Sequence, residues 1–331
     1  MKFFKFFLTR LITFFLVVLI GITTVFFVPR FMPSDPIENM IGRISARSTI
    51  TPEEIQHYRE ALNDTFGLSG SLAEQYFGFL KKLIITHDFG PSLTSYPTPV
   101  MTLIQRALPW TFGLLIVSTI LAWIIGNLIG LLAGYKKDKI FSRILEGIAI
   151  TMYPIPYYIF ALILIMVFAY IIPIFPLSMT ITDVSWSWKS ISTIIYNSIL
   201  PALSLVFVGF GWWVISTKTL SSSVAEEEYV NFARLKGLKQ NTIMLRYVAP
   251  NVALPQITIL ALQVGAIFNG ALITEILFGY PGLGTLMYTG IIQADYNLIM
   301  ATISISIFSV TIVTFIIDIL YPLLDPRIRH S

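Results

Sequence analysis

The chain of 331 residues has no cysteine and three histidines, and only 12% of its residues are charged. Without cysteine there is no disulfide framework and no thiolate to bind a metal or attack a substrate. His57, His87 and His330 are isolated, and neither H-E-x-x-H nor G-x-S-x-G occurs, which argues against a zinc protease or a serine hydrolase. The phosphate-binding loop G-x-x-x-x-G-K-S/T is also absent, which argues against ATP hydrolysis by this chain.

Long apolar runs stand where charges are scarce. Hydrophobic residues make up 55% of the chain, and six stretches are long enough for a helical crossing that needs about 20 residues. These predicted spans are 11–28, 110–135, 148–174, 194–216, 252–276 and 298–320. Pro154 and Pro156 predict a bend near the start of the third. The first is followed by no small-x-small cleavage site, so we interpret it as a retained anchor and not as a signal peptide.

Cations predict the orientation of the spans. Alternate connecting segments are rich in lysine and arginine. In contrast, the segment 177–193 contains a single lysine, and the segment 277–297 contains neither lysine nor arginine. Because short cytoplasmic loops carry the excess of cations, both chain ends are expected in the cytoplasm. The net charge of +4 then reflects orientation in the bilayer, and no nucleic-acid partner is predicted.

The segment between the first two spans is predicted to be a small external cap of helices. Thr51-Pro52-Glu53-Glu54 and Ser71-Leu72-Ala73-Glu74 both have the pattern of a capping box. Two short helices are therefore expected at about 52–62 and 72–85. A turn at 88–92 then leads toward the second span.

A polar island at 226–255 interrupts the apolar runs. It holds seven charges: Glu226, Glu227, Glu228, Arg234, Lys236, Lys239 and Arg246. Each charge at mid-bilayer costs roughly 2.5–3.5 kcal/mol, so the island is expected to lie in water. Helical spacing predicts a short surface helix that ends near Gly237, followed by a second helix that reaches the membrane.

The island closely resembles the cytoplasmic loop of ABC-importer permease subunits of the dipeptide and oligopeptide branch. The matching elements are Tyr229-Val230, Ala233, Lys236-Gly237-Leu238 and Leu254-Pro255. At three further places the chain is similar to these permeases: Asp88-Phe89-Gly90-Pro91-Ser92, Glu275 through Gly284 with Asp295-Tyr296, and Asp318 through Arg329. The generic family loop begins Glu-Ala-Ala, but this chain has Asn231-Phe232-Ala233, so the match is to the peptide branch.

The resemblance implies an all-α polytopic protein of the bacterial cytoplasmic membrane, with six transmembrane helices and both termini cytoplasmic. The expected parts are an anchor at 1–29, an extracytoplasmic helical segment at 30–105, and a permease core at 106–331 that includes a coupling loop at 217–251. Its implied partners are a second homologous permease, two ATP-binding subunits and an external substrate-binding protein. The external segment is either a docking site for that protein or only a surface cap. No cofactor is expected on this chain, because ATP and Mg²⁺ would bind the partner subunits.

Three groups of site residues follow from the resemblance and from the spacing. The expected contacts to the ATPase are Glu228, Tyr229, Ala233, Arg234, Lys236, Gly237 and Leu238. We expect Ala233 and Gly237, four residues apart, to leave one small helix face for close approach. At 100° per residue, one stripe of the fifth span collects Gln256, Gln263, Gly270 and Thr274, which either line the path or pack a neighbouring helix. Glu275, Pro281, Gly282 and Gly284 form a sharp turn that either gates the outer mouth or is only rigid.

Two polar residues within the spans have simpler interpretations. Asn127, between Gly126 and Gly130, is expected to pack helices. Asp318 is expected to form an ion pair or an interfacial hydrogen bond near Arg327 and Arg329.

Other functions remain open at this point. A transporter of the same architecture for nickel chelates or small glycosides is the nearest alternative. An ATPase-independent channel or a membrane enzyme would belong to another class. Recovery of a P-loop ATPase with the chain favours the importer, and single-chain conductance favours the channel.

Overall fold

The computed structural model describes residues 2–31, 35–45, 51–179, 187–266 and 272–324. Within these ranges the chain is mostly helical, without β-strands apart from one isolated bridge between Pro91 and Pro99. The helices are α1 Lys2–Arg30, α2 Pro36–Ser45, α3 Pro52–Phe66, α4 Leu72–Ile85, α5 Val100–Tyr135, α6 Ile140–Met152, α7 Tyr157–Ile165, α8 Trp188–Ala225, α9 Glu228–Leu235, α10 Gln240–Ile243, α11 Ala249–Ala266, α12 Leu272–Leu277, α13 Leu283–Ile292 and α14 Tyr296–Leu324. Turns of π-helix follow α7 at Met166–Ile171 and α10 at Met244–Val248. The predicted all-α class is confirmed.

The described helices provide five or six candidate membrane spans, where the sequence predicts six, and residues 267–271 of the predicted fifth span lie outside the described residues. Five are long and apolar enough to cross a bilayer: Phe4–Arg30, Val100–Tyr135, Trp188–Ala225, Gln240–Ala261 and Tyr296–Ile319. A sixth span arises if Ile140–Met152 and Tyr157–Ile171 count as one, and these two helices are bent by 98° at the break between them. The break contains Pro154 and Pro156. Proline bends a helix because it removes a helical hydrogen bond and its ring clashes with the preceding turn. The predicted bend is confirmed, whereas the sidedness of the two ends stays a prediction.

Two compact units make up the chain. One comprises Met1–Thr111 and Pro281–Ile319, and the other comprises Phe112–Tyr280 and Leu320–Ser331. The expected division into anchor, external segment and permease core concerns topology and stays a prediction.

The cap helices of the first unit begin as their sequence predicts. The backbone N–H of Thr51 donates to Glu54 at 2.8 Å, and the N–H of Glu54 donates back to the Thr51 hydroxyl at 3.4 Å. The Ser71 and Glu74 pair repeats this capping box. In both, hydrogen bonds from the backbone and side chain of the cap residue lower the pKa of the glutamate. The boxes therefore stabilise at neutral pH, and this stabilisation is lost as the pH falls through the lowered pKa.

The cap contains more helix than the sequence analysis expected. Helix α3 extends to Phe66, and α2 at Pro36–Ser45 was not predicted. A signal for α2 was present, because Asp35 precedes a proline and its carboxylate accepts from the N–H of Ile37 at 2.8 Å. Buried Ile37, Ile41 and Leu62 join α2 to α3 in one hydrophobic cluster.

Close packing joins α5 to α8 in the second unit. A Cβ added to Gly126 would lie 2.3 Å from the Trp213 Cβ, and one added to Gly130 would lie 2.7 Å from the Thr217 Cβ. Between these glycines, Asn127 accepts a hydrogen bond from the Thr217 hydroxyl at 2.7 Å. The packing role expected of Asn127 is confirmed, since small residues and interhelical hydrogen bonds hold membrane helices together.

Substituting Gly126 with leucine is expected to destabilise the second unit by roughly 1–3 kcal/mol or more, because the added side chain must push α8 away. Thermal unfolding of the purified protein in detergent measures this loss. Gly113→Leu is the matched control, since it lies on the same helix and its Cβ would meet nothing within 4 Å. Equal unfolding temperatures for the two variants would contradict the packing described here.

Candidate functional site

Helix α9 lies in the first part of the polar island and packs on the rest of this chain through two apolar residues. Val230 and Ala233 are buried in a cluster with Ala225, Ile243, Val248 and Val252. These residues come from the end of α8, from α10, from the following π turn and from the start of α11. Helix α9 is therefore fixed by apolar contact to the segment that leads into α11.

The opposite face of α9 presents apolar side chains to the surroundings. Leu235 is 86% exposed, Phe232 58% and Tyr229 42%. They recur every three residues and so share one side of the helix. The Lys236 ammonium lies 4.6 Å from the centre of the Phe232 ring, which adds a cation to this face. We call Tyr229, Phe232, Leu235 and Lys236 the α9 face.

The structure assigns Ala233 and Gly237 roles that differ from the small helix face expected of them. Ala233 is only 2% exposed and is small because it packs inside this chain. Gly237 lies beyond the end of α9 with φ of +74°, and a Cβ there would meet nothing within 4 Å. Glycine is favoured at this position because the left-handed conformation strains other residues. Ala233 therefore does not contribute to an exposed small face, whereas close approach of a partner at Gly237 stays a prediction.

The other residues expected to contact the ATPase are all exposed. Glu228 begins α9, the Arg234 guanidinium donates to the Asn231 side chain at 3.0 Å, and Leu238 follows the helix end. Sequence reasoning missed Phe232 and Leu235. Their signal was available, since large apolar residues spaced three apart in a polar segment indicate an exposed apolar patch, which is typical of an interaction surface.

Two contacts tie the island to the short loop after α5. Lys137 forms an ion pair with Glu226, and the Tyr135 hydroxyl donates to the Gln240 side chain at 2.5 Å. The hydrogen bond between Lys137 and Glu226 raises the pKa of Lys137 and lowers the pKa of Glu226. Both groups of the ion pair are solvent-exposed, so it orients the island more than it stabilises it.

The described members of the fifth-span stripe are divided between buried and exposed positions. Gln256 is fully buried, and its amide donates to the Ser216 hydroxyl at 3.0 Å. Its backbone carbonyl accepts from the Trp123 indole at 3.2 Å. Thr274 is buried on α12, whereas Gln263 on α11 is exposed. Gly270 lies outside the described residues. In this conformation Gln256 therefore packs helices, and Gln263 is the member that faces outward.

The glycine-rich turn between α12 and α13 confirms that the chain cannot run straight there. Glu275 is buried within α12, and Gly279 follows the helix with φ of +59°. Pro281 is exposed, while Gly282 and Gly284 are buried where α13 begins. The backbone N–H of Leu283 donates to the Thr111 hydroxyl at 2.8 Å. These contacts fix the start of α13.

A buried carboxylate joins two sequence elements that lie far apart in the chain. Asp295 is 0% exposed, and its Oδ2 accepts from the Ser92 hydroxyl at 2.6 Å and from the backbone and side chain of Thr94 at 3.0 and 3.1 Å. Its Oδ1 accepts from the N–H of Leu298 at 3.1 Å, at the start of α14. The adjacent Asn297 amide donates to the Pro91 carbonyl at 3.0 Å. The loop at 88–94 is thus held to the first turn of α14.

The ion pair expected of Asp318 is confirmed, but with another partner. Its carboxylate lies 3.1 Å from the Arg10 guanidinium on α1. Arg327 and Arg329 lie outside the described residues. An unpaired charge within a span is costly. Because separating α1 from α14 would leave both charges unpaired, the ion pair favours contact between these helices.

Comparisons with known proteins agree with this architecture. Residues 126–330 match the model of the family described as "Binding-protein-dependent transport system inner membrane component". Residues 3–115 match the model of its N-terminal part. Together the two models cover both ends of the chain and most of its length.

Relatives similar to this chain align along almost its whole length. The oligopeptide transport system permease protein AppB of Bacillus subtilis is 33% identical over 95% of this chain and 96% of its own length. The dipeptide transport system permease protein DppB of Escherichia coli K12 is 28% identical over 94% and 95%. The glutathione transport system permease protein GsiC of Pectobacterium atrosepticum is 26% identical over 99% of each.

Proposed function

Since this chain belongs to the family of binding-protein-dependent transport system inner membrane components, we propose that it forms half of the path of an ATP-driven importer for di- and oligopeptides. Permeases of oligopeptide and dipeptide transport systems are among its full-length relatives, which supports this cargo. The family places the chain in the inner membrane, in a complex with other transporter subunits and a substrate-binding protein. The proposed complex contains a second homologous permease and two ATP-binding subunits that carry ATP and Mg²⁺.

The exposed α9 face is the observation that carries this proposal. It is an apolar and cationic surface on a helix whose other side is locked into the chain. We propose that it docks into a cleft of an ATP-binding subunit on the cytoplasmic side. Both chain ends then also lie in the cytoplasm, in agreement with the distribution of cations.

The cluster beneath α9 gives the proposed coupling its mechanical route. Val230 and Ala233 pack against Val248 and Val252, and Val252 belongs to α11. Closure of the ATPase pair would move α9 as a rigid lever, and these buried contacts pass the movement to α11. Protein cores are densely packed and resist compression, so a displacement at α9 cannot be absorbed locally.

We propose that the translocation path lies on α11, the helix to which the coupling route leads, and that the outer turn follows it in the chain. Gln263 is exposed on α11 and lines the proposed path, while Gln256, Gly270 and Thr274 join it when the helices move. Glu275, Pro281, Gly282 and Gly284 form the proposed outer gate, and the left-handed Gly279 lies between Glu275 and Pro281. In this account the gate is external and α9 is cytoplasmic.

Substituting Gly237 with valine tests the coupling. The left-handed conformation costs a residue other than glycine roughly 1–2 kcal/mol, so α9 should end differently and its docking geometry should change. We expect transport-linked ATPase activity of the reconstituted complex to be lost, while membrane insertion is unchanged.

Gly67→Val is the matched control for this variant. Gly67 ends α3 with φ of +65°. As at Gly237, a Cβ added to Gly67 would meet nothing within 4 Å. The local strain is therefore the same, but α3 is not in the proposed coupling route. Normal coupling in Gly237→Val, or equal loss in Gly67→Val, would contradict the proposal.

The peptide cargo needs a separate test. The reconstituted complex, supplied with the binding protein of the same system, should hydrolyse ATP faster when a di- or oligopeptide is added. Stimulation by a nickel chelate or a small glycoside, with none by peptides, would overturn the cargo assignment and leave the coupling route intact.

A further inference from the structure

We propose that the corner between α5 and α6 binds the headgroup of an anionic phospholipid. The corner carries Lys136, Lys139 and Arg143, and all three side chains are exposed. The backbone N–H of Lys139 donates to the Lys136 carbonyl at 3.0 Å, and that of Arg143 donates to the Lys139 carbonyl at 3.3 Å. Successive turns of backbone thus bring the three residues close together at the corner, and we call Lys136, Lys139 and Arg143 the basic ridge.

The charge of the basic ridge is not neutralised by the residues that the structure describes. Among the described residues, no carboxylate oxygen lies within 4 Å of Lys136, Lys139 or Arg143. Lys137, between them, is already paired with Glu226. The neighbouring acid is Asp138, which is exposed, so the ridge keeps an excess of positive charge.

An exposed apolar surface adjoins the basic ridge on α6. Ile140, Ile144 and Ile148 recur every four residues, and Phe141 lies beside them. All four are exposed. In a helix that enters the bilayer, this arrangement places acyl-chain contacts next to cations at headgroup level. A phospholipid with a net negative headgroup matches both parts.

The other side of α6 is fixed, so the site is preformed. The Ser142 hydroxyl donates to the Ala133 carbonyl at 2.6 Å, and Glu146 forms an ion pair with Lys218 of α8. Ala149 is buried against α8 beside Phe210 and Val214. Lipid binding therefore requires no rearrangement of the helix, which lowers its entropic cost.

Native mass spectrometry of the purified chain in detergent tests the proposal, with phosphatidylglycerol and phosphatidylcholine of equal chain length as probes. One cation near an anionic surface contributes roughly a factor of five in binding, so phosphatidylglycerol should be retained at least about tenfold better. The preference should weaken as salt is raised. Equal retention of the two lipids by the unmodified protein would overturn the proposal.

The variant Lys136→Gln, Lys139→Gln, Arg143→Gln should lose this preference by at least about fivefold. Lys81→Gln, Lys82→Gln, Lys189→Gln removes the same charge from other exposed positions and should keep it. A third variant, Lys136→Arg, Lys139→Arg, retains the charge and should also keep the preference, which excludes loss through misfolding. An unchanged preference in the glutamine variant, or equal loss in the control, would overturn the assignment.

The same glutamine variant separates a lipid from a protein partner. If the basic ridge binds lipid, recovery of the ATP-binding subunits should not change. Loss of those subunits with the lipid preference intact would assign the ridge to a protein contact and contradict the proposal. The readout does not involve transport, so it stands or falls independently of the proposed function.

Discussion

Substituting Leu235 with aspartate is expected to abolish recovery of the ATP-binding subunits with the purified chain. Leu235 is the most exposed member of the α9 face, and a buried carboxylate without a partner is costly at the centre of an interface. Hot-spot residues contribute about 2 kcal/mol or more, so affinity should fall at least about thirtyfold. Phe232→Asp should act in the same direction.

The control for Leu235→Asp is Leu72→Asp. Leu72 is also a largely exposed leucine, but it begins α4 in the cap. It carries the same change outside the proposed interface, so subunit recovery should be normal. Membrane insertion should be unaffected in both variants. If Leu235→Asp retains its ATP-binding subunits, the α9 face is not the docking surface.

Substituting Asp295 with asparagine should destabilise the first unit by about 2–4 kcal/mol. The carboxylate accepts four hydrogen bonds while fully buried, and the amide of asparagine would turn a donor toward the donors of Ser92 and Thr94. We expect a clearly lower unfolding temperature and faster proteolysis of the loop at 88–94. Both follow from release of this loop from α14.

Asp88→Asn provides the comparison for Asp295→Asn. Asp88 lies in the same loop, but it is exposed and accepts one hydrogen bond, from the N–H of Gly90 at 2.8 Å. Its loss should cost less than about 1 kcal/mol. Equal destabilisation by the two variants would show that the buried contacts of Asp295 do not hold the loop.

Local properties of the sequence predicted much of the fold. The spans follow from the transfer free energy of about 20 successive residues, and the capping boxes follow from side chains three positions apart. The bend at Pro154 and Pro156 follows from the chemistry of a single residue type. Each of these depends on neighbours in the chain, and each is present among the described residues.

Contacts between distant segments could not be predicted in the same way. The partner of Asp318 is Arg10, from the opposite end of the sequence, and no spacing rule connects the two. Asp295 and Ser92 both belong to elements that resemble the peptide permeases, but the resemblance did not indicate that they touch. Helix packing decides such pairs, and one sequence does not encode it in any local pattern.

The α9 face shows the same limit at the candidate site. The sequence located the helix and its end correctly, near Gly237. It did not reveal which side of the helix the rest of the chain covers, and so Ala233 was assigned to the partner instead of to the buried cluster. Phe232 and Leu235 were overlooked because their importance depends on that side being free.

A single thiol at position 235 gives the most direct test of the central claim, which is that α9 is a water-exposed surface gripped by an ATP-binding subunit. The chain has no cysteine, so Leu235→Cys introduces a unique reactive group. When the chain is present without the ATP-binding subunits, an impermeant maleimide should label it in inside-out vesicles but not in right-side-out vesicles. In the assembled complex, a short bifunctional reagent should link it to the ATP-binding subunit. Ala233→Cys, at a buried position, should react poorly. Labelling of position 235 from the outer side, or from neither side, would contradict the account.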